Sequence, residues 1–187
     1  MNNLSRLLCI GLILSLGACA STGGKTPEEQ REAIQSMKSE VLTDLYKVKP
    51  DVRAQIKKAP GYAVFSNANV NLVLASFGGG YGVAKNNRSG KYTYMKMAEA
   101  GLGLGLGIKD FRVVFVFHTN KSLNNFVEKG WAFGAQADAA AKAGDSGGAV
   151  GGEVTVNDMT IYQLTEAGLA LQATIKGTKY WKNEALN

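Results

Sequence analysis

Tyr62-Ala63-Val64-Phe65-Ser66, Asn71-Leu72-Val73-Leu74-Ala75-Ser76-Phe77, Tyr81-Gly82-Val83-Ala84-Lys85 and Tyr92-Thr93-Tyr94-Met95-Lys96-Met97-Ala98 follow one another with breaks rich in Asn, Gly and Ser. Short apolar or alternating runs bounded by such residues read as strands, and Asn86–Gly90 reads as a hairpin turn. Downstream, Gly101–Ile108 alternates glycine with an aliphatic residue at period two, and Val113–His118 is an apolar strand. Thr119 or Asn120 then opens a helix carrying Leu123, Phe126 and Val127, which Gly130 stops. Trp131–Ala141 reads as strand or helix, since its alanines favour helix and its context favours strand. Gly144–Gly152 is a flexible glycine-rich loop, and Met159–Thr165 and Leu169–Lys176 supply two closing strands. Strands dominate and connections are short, which favours antiparallel pairing over parallel βαβ units.

Upstream of Tyr62 the periodicity is helical. Thr26 is a good N-cap, Pro27 suits the first helical position, and Glu29 completes a capping box. Ile34, Met37, Val41, Leu45 and Val48 follow at helical spacing until Pro50 interrupts. Asp51 can cap a second, short helix with Val52, Ile56 and Ala59 on one side, ended by Pro60-Gly61. The expected fold class is α+β: a curved, mainly antiparallel β-sheet packed with N-terminal helices and one short internal helix. Residues 26–187 form one domain in this reading.

Residues 1–18 read as a signal peptide, with Arg6 before an apolar run from Leu7 to Leu16 that is too short to span a bilayer permanently. Leu16-Gly17-Ala18-Cys19 looks like a lipobox, in which Cys19 takes a diacylglycerol group and becomes the mature N-terminus. Residues 19–25 are then an acylated cysteine and a short polar tether. Ala20 stands where Asp would signal inner-membrane retention, so the expected location is the outer membrane, lipid-anchored and facing the periplasm.

Composition narrows the chemistry. The chain holds 21 Lys and Arg against 15 Asp and Glu, one histidine and two cysteines. Cys9 leaves with the leader and Cys19 is acylated, so no intrachain disulfide and no cysteine metal site is expected. The mild positive excess suits anionic phospholipid and is too small to indicate nucleic acid. His118 lacks a Gly-x-Ser-x-Gly nucleophile elbow to serve, and its simplest role is a strand-end histidine bonding local backbone. No catalytic residue, metal site or cofactor is expected. Neither Gly78-Gly79-Gly80 with Gly82 nor the later alternating glycines fit a phosphate-binding glycine motif. Alternation puts Gly101, Gly103, Gly105 and Gly107 on one sheet face, open to a packed helix, a lipid-tail groove or a self-association surface. Two basic clusters stand out as lipid-contact candidates: Arg53, Lys57 and Lys58 in the second helix, and Lys176, Lys179 and Lys182 around Tyr180 and Trp181. Basic residues beside interfacial aromatics suit a headgroup layer.

From Ala59 onward the sequence resembles the SYLF domain, a lipid-binding family. The blocks that carry the resemblance are Ala59–Phe65, Gly78–Val83, Tyr92–Gly107, Val113–Phe117 with Leu123 and Phe126, Trp131 with Gly134, Ala137 and Asp138, and Gly168–Gly177. Their order and spacing match over about residues 35–180. The resemblance implies phospholipid or phosphoinositide binding without catalysis. The expected function is a non-catalytic, phospholipid-binding envelope lipoprotein whose partner is an anionic membrane. The alternative is an envelope scaffold that binds a periplasmic or outer-membrane protein through the glycine face or the Gly144–Gly152 loop.

Overall fold

The computed structural model describes residues 26–72, 75–101, 112–132, 153–165, 168–169 and 178–187. Cys19, Lys176, most of the Gly101–Ile108 stretch and the Gly144–Gly152 loop lie outside these residues.

Helix α1 spans Pro27–Val48 and starts as its sequence dictates. Thr26 Oγ1 accepts from Glu29 N at 3.2 Å, and the Glu29 carboxylate accepts from Thr26 N at 3.0 Å. Ile34, Met37, Val41, Leu42 and Leu45 are its buried stripe. Val48 was expected on that stripe but is 50% exposed, as the last residue of the helix. Helix α2 spans Val52–Lys58 and buries Val52 and Ile56. Asp51 sits at its N-cap position without capping it; the carboxylate instead accepts from Gln55 Nε2 at 2.9 Å. Helix α3 spans Asn120–Lys129, with Thr119 as a true N-cap and Gly130 as terminator. Gly130 has φ +71, and a Cβ there would lie 2.5 Å from the Tyr180 carbonyl oxygen.

The strands are β1 (Gly61–Leu72), β2 (Ala75–Asn86), β3 (Tyr92–Gly101), β4 (Arg112–Phe117), β5 (Trp131–Ala132), β6 (Glu153–Val156), β7 (Met159–Thr165), β8 (Gly168–Leu169) and β9 (Thr178–Lys182). They form one sheet in the order β5-β9-β3-β2-β1-β4-β7-β6, with β8 also on β7, and every pairing is antiparallel. The expected α+β class and antiparallel sheet are therefore present. The expected strand breaks differ. Asn67–Asn69 and Gly78–Gly80 were read as interruptions, yet they pair with each other inside two long strands. Backbone ladders need no side chains, so a glycine run persists as strand when a long partner lies in register beside it.

The sheet separates two apolar layers. On its outer side α1, α2 and Leu186 of the 3₁₀ turn Glu184–Leu186 cover Tyr62, Val64, Val83, Val114, Val116, Tyr162 and Leu164. On its inner side Phe65, Met95, Met97, Phe115, Phe117, Ile161 and Tyr180 meet Leu123 and Phe126 of α3 and Trp131 of β5. The inner layer measures the curl directly. Four strands separate β5 from β4, so a flat sheet would hold them about 24 Å apart. Trp131 and Phe115 nevertheless meet with ring centroids 5.6 Å apart. Gly82 permits part of this packing: a Cβ there would lie 2.3 Å from the Phe65 ring, its cross-strand neighbour.

Candidate functional site: a basic corner

Helix α2 is short, and burying Val52 and Ile56 at i and i+4 turns Arg53, Lys57 and Lys58 outward, all exposed. The Arg53 guanidinium stacks on the Tyr46 ring of α1 at 4.6 Å, a cation–π contact that fixes its direction. Lys57 and Lys58 occupy the last turn, where positive charge complements the helix dipole. Gln55 ties the helix to the sheet by accepting from the Tyr162 hydroxyl at 2.7 Å.

The C-terminal end of α2 is clasped to the β2–β3 turn. Asn87 Nδ2 donates to the carbonyls of Ile56 and Ala59 at 2.8 and 2.9 Å, and Asn87 N donates to Pro60 O at 2.9 Å. The expected Asn86–Gly90 turn is present: the Asn86 side chain accepts from Arg88 N and Ser89 N, and Gly90 takes φ +72. The clasp brings exposed Arg88 and Lys91 to the same end of the domain as Lys57 and Lys58. Among the described residues, none of Arg53, Lys57, Lys58, Arg88 and Lys91 lies within 4.0 Å of a carboxylate. Sequence reasoning missed the turn's share of this corner. The signal was visible as Lys85, Arg88 and Lys91 around a hairpin turn, but nothing local says that the turn meets α2.

Behind the corner a row of phenols crosses the outer face. Tyr62 pairs with Lys85 across β1 and β2, and Lys85 pairs with Tyr92 across β2 and β3. The Tyr62 hydroxyl is pushed up to about 12, first by burial and then by the neighbouring phenols of Tyr92 and Tyr46. An ordinary phenol ionises near 10.0. The unfolded chain therefore loses this proton first, and stability falls as pH rises from about 10 to about 12. Tyr62→Phe should flatten this alkaline loss, which denaturant midpoints at several alkaline pH values will show. A variant that keeps the wild-type slope would sink the assignment.

The second predicted cluster divides differently. Tyr180 is fully buried and packs against Phe65 at 4.7 Å and Phe115 at 5.0 Å. It is a core residue and leaves the set of surface candidates, because strand alternation turns it inward. Lys182 falls on the same inward side, half-exposed at the rim and paired with Glu184 at 3.2 Å. Lys179 and Trp181 share the outer side, where Trp181 stands opposite exposed Lys96 in β3. Lys176 is outside the described residues. The contiguous reading failed because it counted neighbours in sequence along what is a strand.

His118 is exposed, and its Nε2 lies 2.8 Å from Thr160 Oγ1 across the β4–β7 pair. It was expected to bond local backbone; its ring instead meets a cross-strand hydroxyl. Ser122, the hydroxyl four residues on, donates to the carbonyls of Thr119 and Asp158 at 2.9 and 3.2 Å. Among the described residues no cluster of metal-ligating side chains occurs, and no helix is long and apolar enough to cross a membrane.

Residues 98–187 match the family model described as Ysc84, Las17-binding protein actin regulator. The chain belongs to the SYLF (Ysc84) family. The SYLF match begins in β3 and includes α3, Trp131 and β9, the elements that close the inner aromatic layer. Beta cell expansion factor A of Aeromonas veronii is 38% identical over 165 residues, 87% of this chain. The chain spans 60% of that relative's length. The SYLF resemblance read from the sequence blocks is thus correct, and the family is described by what it binds rather than by a reaction.

Proposed function

We propose that this SYLF chain is a lipid-anchored envelope protein whose domain docks on anionic phospholipid through the α2–hairpin corner. The observation that carries the reading is the convergence of Arg53, Lys57, Lys58, Arg88 and Lys91 on one end, with no carboxylate partner among the described residues. Acylated Cys19 holds the chain at the outer membrane facing the periplasm, and the corner then sets the domain's orientation on the leaflet. The envelope location makes lipid the accessible partner, ahead of the actin machinery in the family description. Lys179, Trp181 and Lys96 offer a smaller second contact on the outer face.

Near an anionic bilayer each Lys or Arg contributes about 1 kcal/mol. Replacing Arg53, Lys57 and Lys58 by Gln should therefore weaken partitioning to phosphatidylglycerol vesicles by about 3 kcal/mol, on the order of 100-fold. Added salt should weaken the wild type in the same direction. Flotation of the chain from residue 20 onward with vesicles measures both. No flotation with any anionic vesicle at low salt would reject the docking. Recovery of one stoichiometric protein partner by crosslinking in cells, without vesicle binding, would favour the scaffold alternative.

A further inference from the structure

We infer that Lys38, Lys85 and Tyr92 form a phosphate-binding notch beside the basic corner, taking a phosphate group between two ammoniums and a phenol. Tyr92 lies in β3, Lys85 faces it from β2, and Lys38 reaches over from α1. Lys38 Nζ is 4.8 Å and Lys85 Nζ 5.4 Å from the centroid of the Tyr92 ring. All three residues are half-buried. Two positive charges are thus held against one ring, and neither lies within 4.0 Å of a carboxylate among the described residues.

The partners of these lysines are neutral, so they orient the charges without cancelling them. Lys38 Nζ donates to Gln35 Oε1, and Gln35 Nε2 donates to the Tyr94 hydroxyl at 3.1 Å. That network fixes the Gln35 amide with its oxygen toward Lys38. Lys85 is fixed by sheet register, directly across from Tyr92. Burial raises the ionisation of Tyr92, yet the charges and hydrogen bonds of Lys38 and Lys85 outweigh it and hold the phenol below its ordinary value. The notch therefore stabilises negative charge at the Tyr92 oxygen, and an anion arriving there meets the same field.

Phosphate fits this donor set better than a carboxylate. A phosphate monoester carries about −1.5 to −2 charge and three acceptor oxygens. Two ammoniums and one hydroxyl can each give one oxygen a charge-assisted hydrogen bond, the strong kind. Buried Tyr62 lies between the notch and Tyr46, on which Arg53 stacks, so notch and corner are neighbours on the same side of the sheet. A lipid headgroup is the source that rests on the docking reading; a free phosphate compound is the other.

The test uses the full chain purified in a neutral detergent. Amide and lysine NMR signals are followed during titration with inorganic phosphate and with glycerol phosphate, against chloride at matched ionic strength. Saturable shifts centred on Lys38, Lys85 and Tyr92 are expected. Lys38→Gln with Lys85→Gln should weaken binding at least tenfold, and Tyr92→Phe, which keeps the ring, about threefold. The second arm compares vesicles of phosphatidic acid and phosphatidylglycerol at equal charge. A tenfold loss of phosphatidic acid binding in the double variant assigns the notch to lipid. Phosphate binding with vesicle binding unchanged in that variant supports the notch and assigns it to a soluble phosphate compound. Phosphate binding with no vesicle binding by the wild type supports the notch and rejects the docking. Wild-type signals at the three residues that move no more with phosphate than with chloride overturn the notch, even where vesicles float.

Discussion

Replacing Phe115 with alanine should lower the unfolding free energy by about 3–5 kcal/mol, the cost of emptying a large buried aromatic site. Phe115 is 1% exposed and lies within 5.9 Å, centroid to centroid, of Phe65, Phe126, Trp131 and Tyr180. Those rings come from β1, α3, β5 and β9, so one side chain joins both limbs of the curled sheet to the helix between them. A domain of ordinary stability has about 5–15 kcal/mol in all, and the change removes a large share of it. Urea unfolding followed by far-ultraviolet circular dichroism gives the loss, and the near-ultraviolet signal reports the aromatic cluster. A loss under about 1 kcal/mol with the near-ultraviolet signal intact would mean that the inner layer does not hold the curl.

Cys19→Ser should abolish acylation outright. In cells fed a labelled fatty acid, the wild-type chain should carry label and the variant none. The intact mass of the membrane-extracted wild type should correspond to a chain starting at a diacylated or triacylated Cys19. The effect is large because each buried methylene contributes about 0.8 kcal/mol, and two chains anchor a protein stably where one alone is marginal. A wild-type protein that begins elsewhere, or whose Cys19 is bare, would remove the anchor from the proposal. The corner-to-vesicle experiment would stand, since it uses the domain without its leader.

The fold was legible where sequence signals are local. Thr26, Pro27 and Glu29 mark the start of α1, and Thr119 and Gly130 bracket α3, because caps are satisfied within a turn. Strand ends were less legible, since they depend on a partner. Glycines 78–80 continue as strand because Asn67–Asn69 lie opposite on one side and Met97–Glu99 on the other. β6 escaped notice although Asn157 and Asp158, both at positive φ (51 and 58), make the tight turn to β7; an Asn-Asp pair between Val-Thr-Val and Met-Thr-Ile is a recognisable hairpin signal. The helical part of the candidate surface was readable: Arg53, Lys57 and Lys58 are exposed together, as helical spacing requires. The rest was not. Lys38, Lys85 and Tyr92 come from three elements, and only tertiary packing assembles them. Tyr180 and Lys182 were misplaced because a strand sends consecutive residues to opposite sides.

The placement of Tyr180 has a consequence for the order in which the molecule folds. β9 follows every other strand in chain order, yet it pairs with β3 and fills the centre of the inner layer. The aromatic core therefore stays open until this last strand arrives, and closing it is a contact of long sequence separation, the slow kind. A nascent chain lacking β9 already holds the sheet and helix residues of its outer layer, but its inner layer lacks the central ring. For a protein proposed to be exported through a membrane as an extended polypeptide, the inner layer can close only once its final strand has been made.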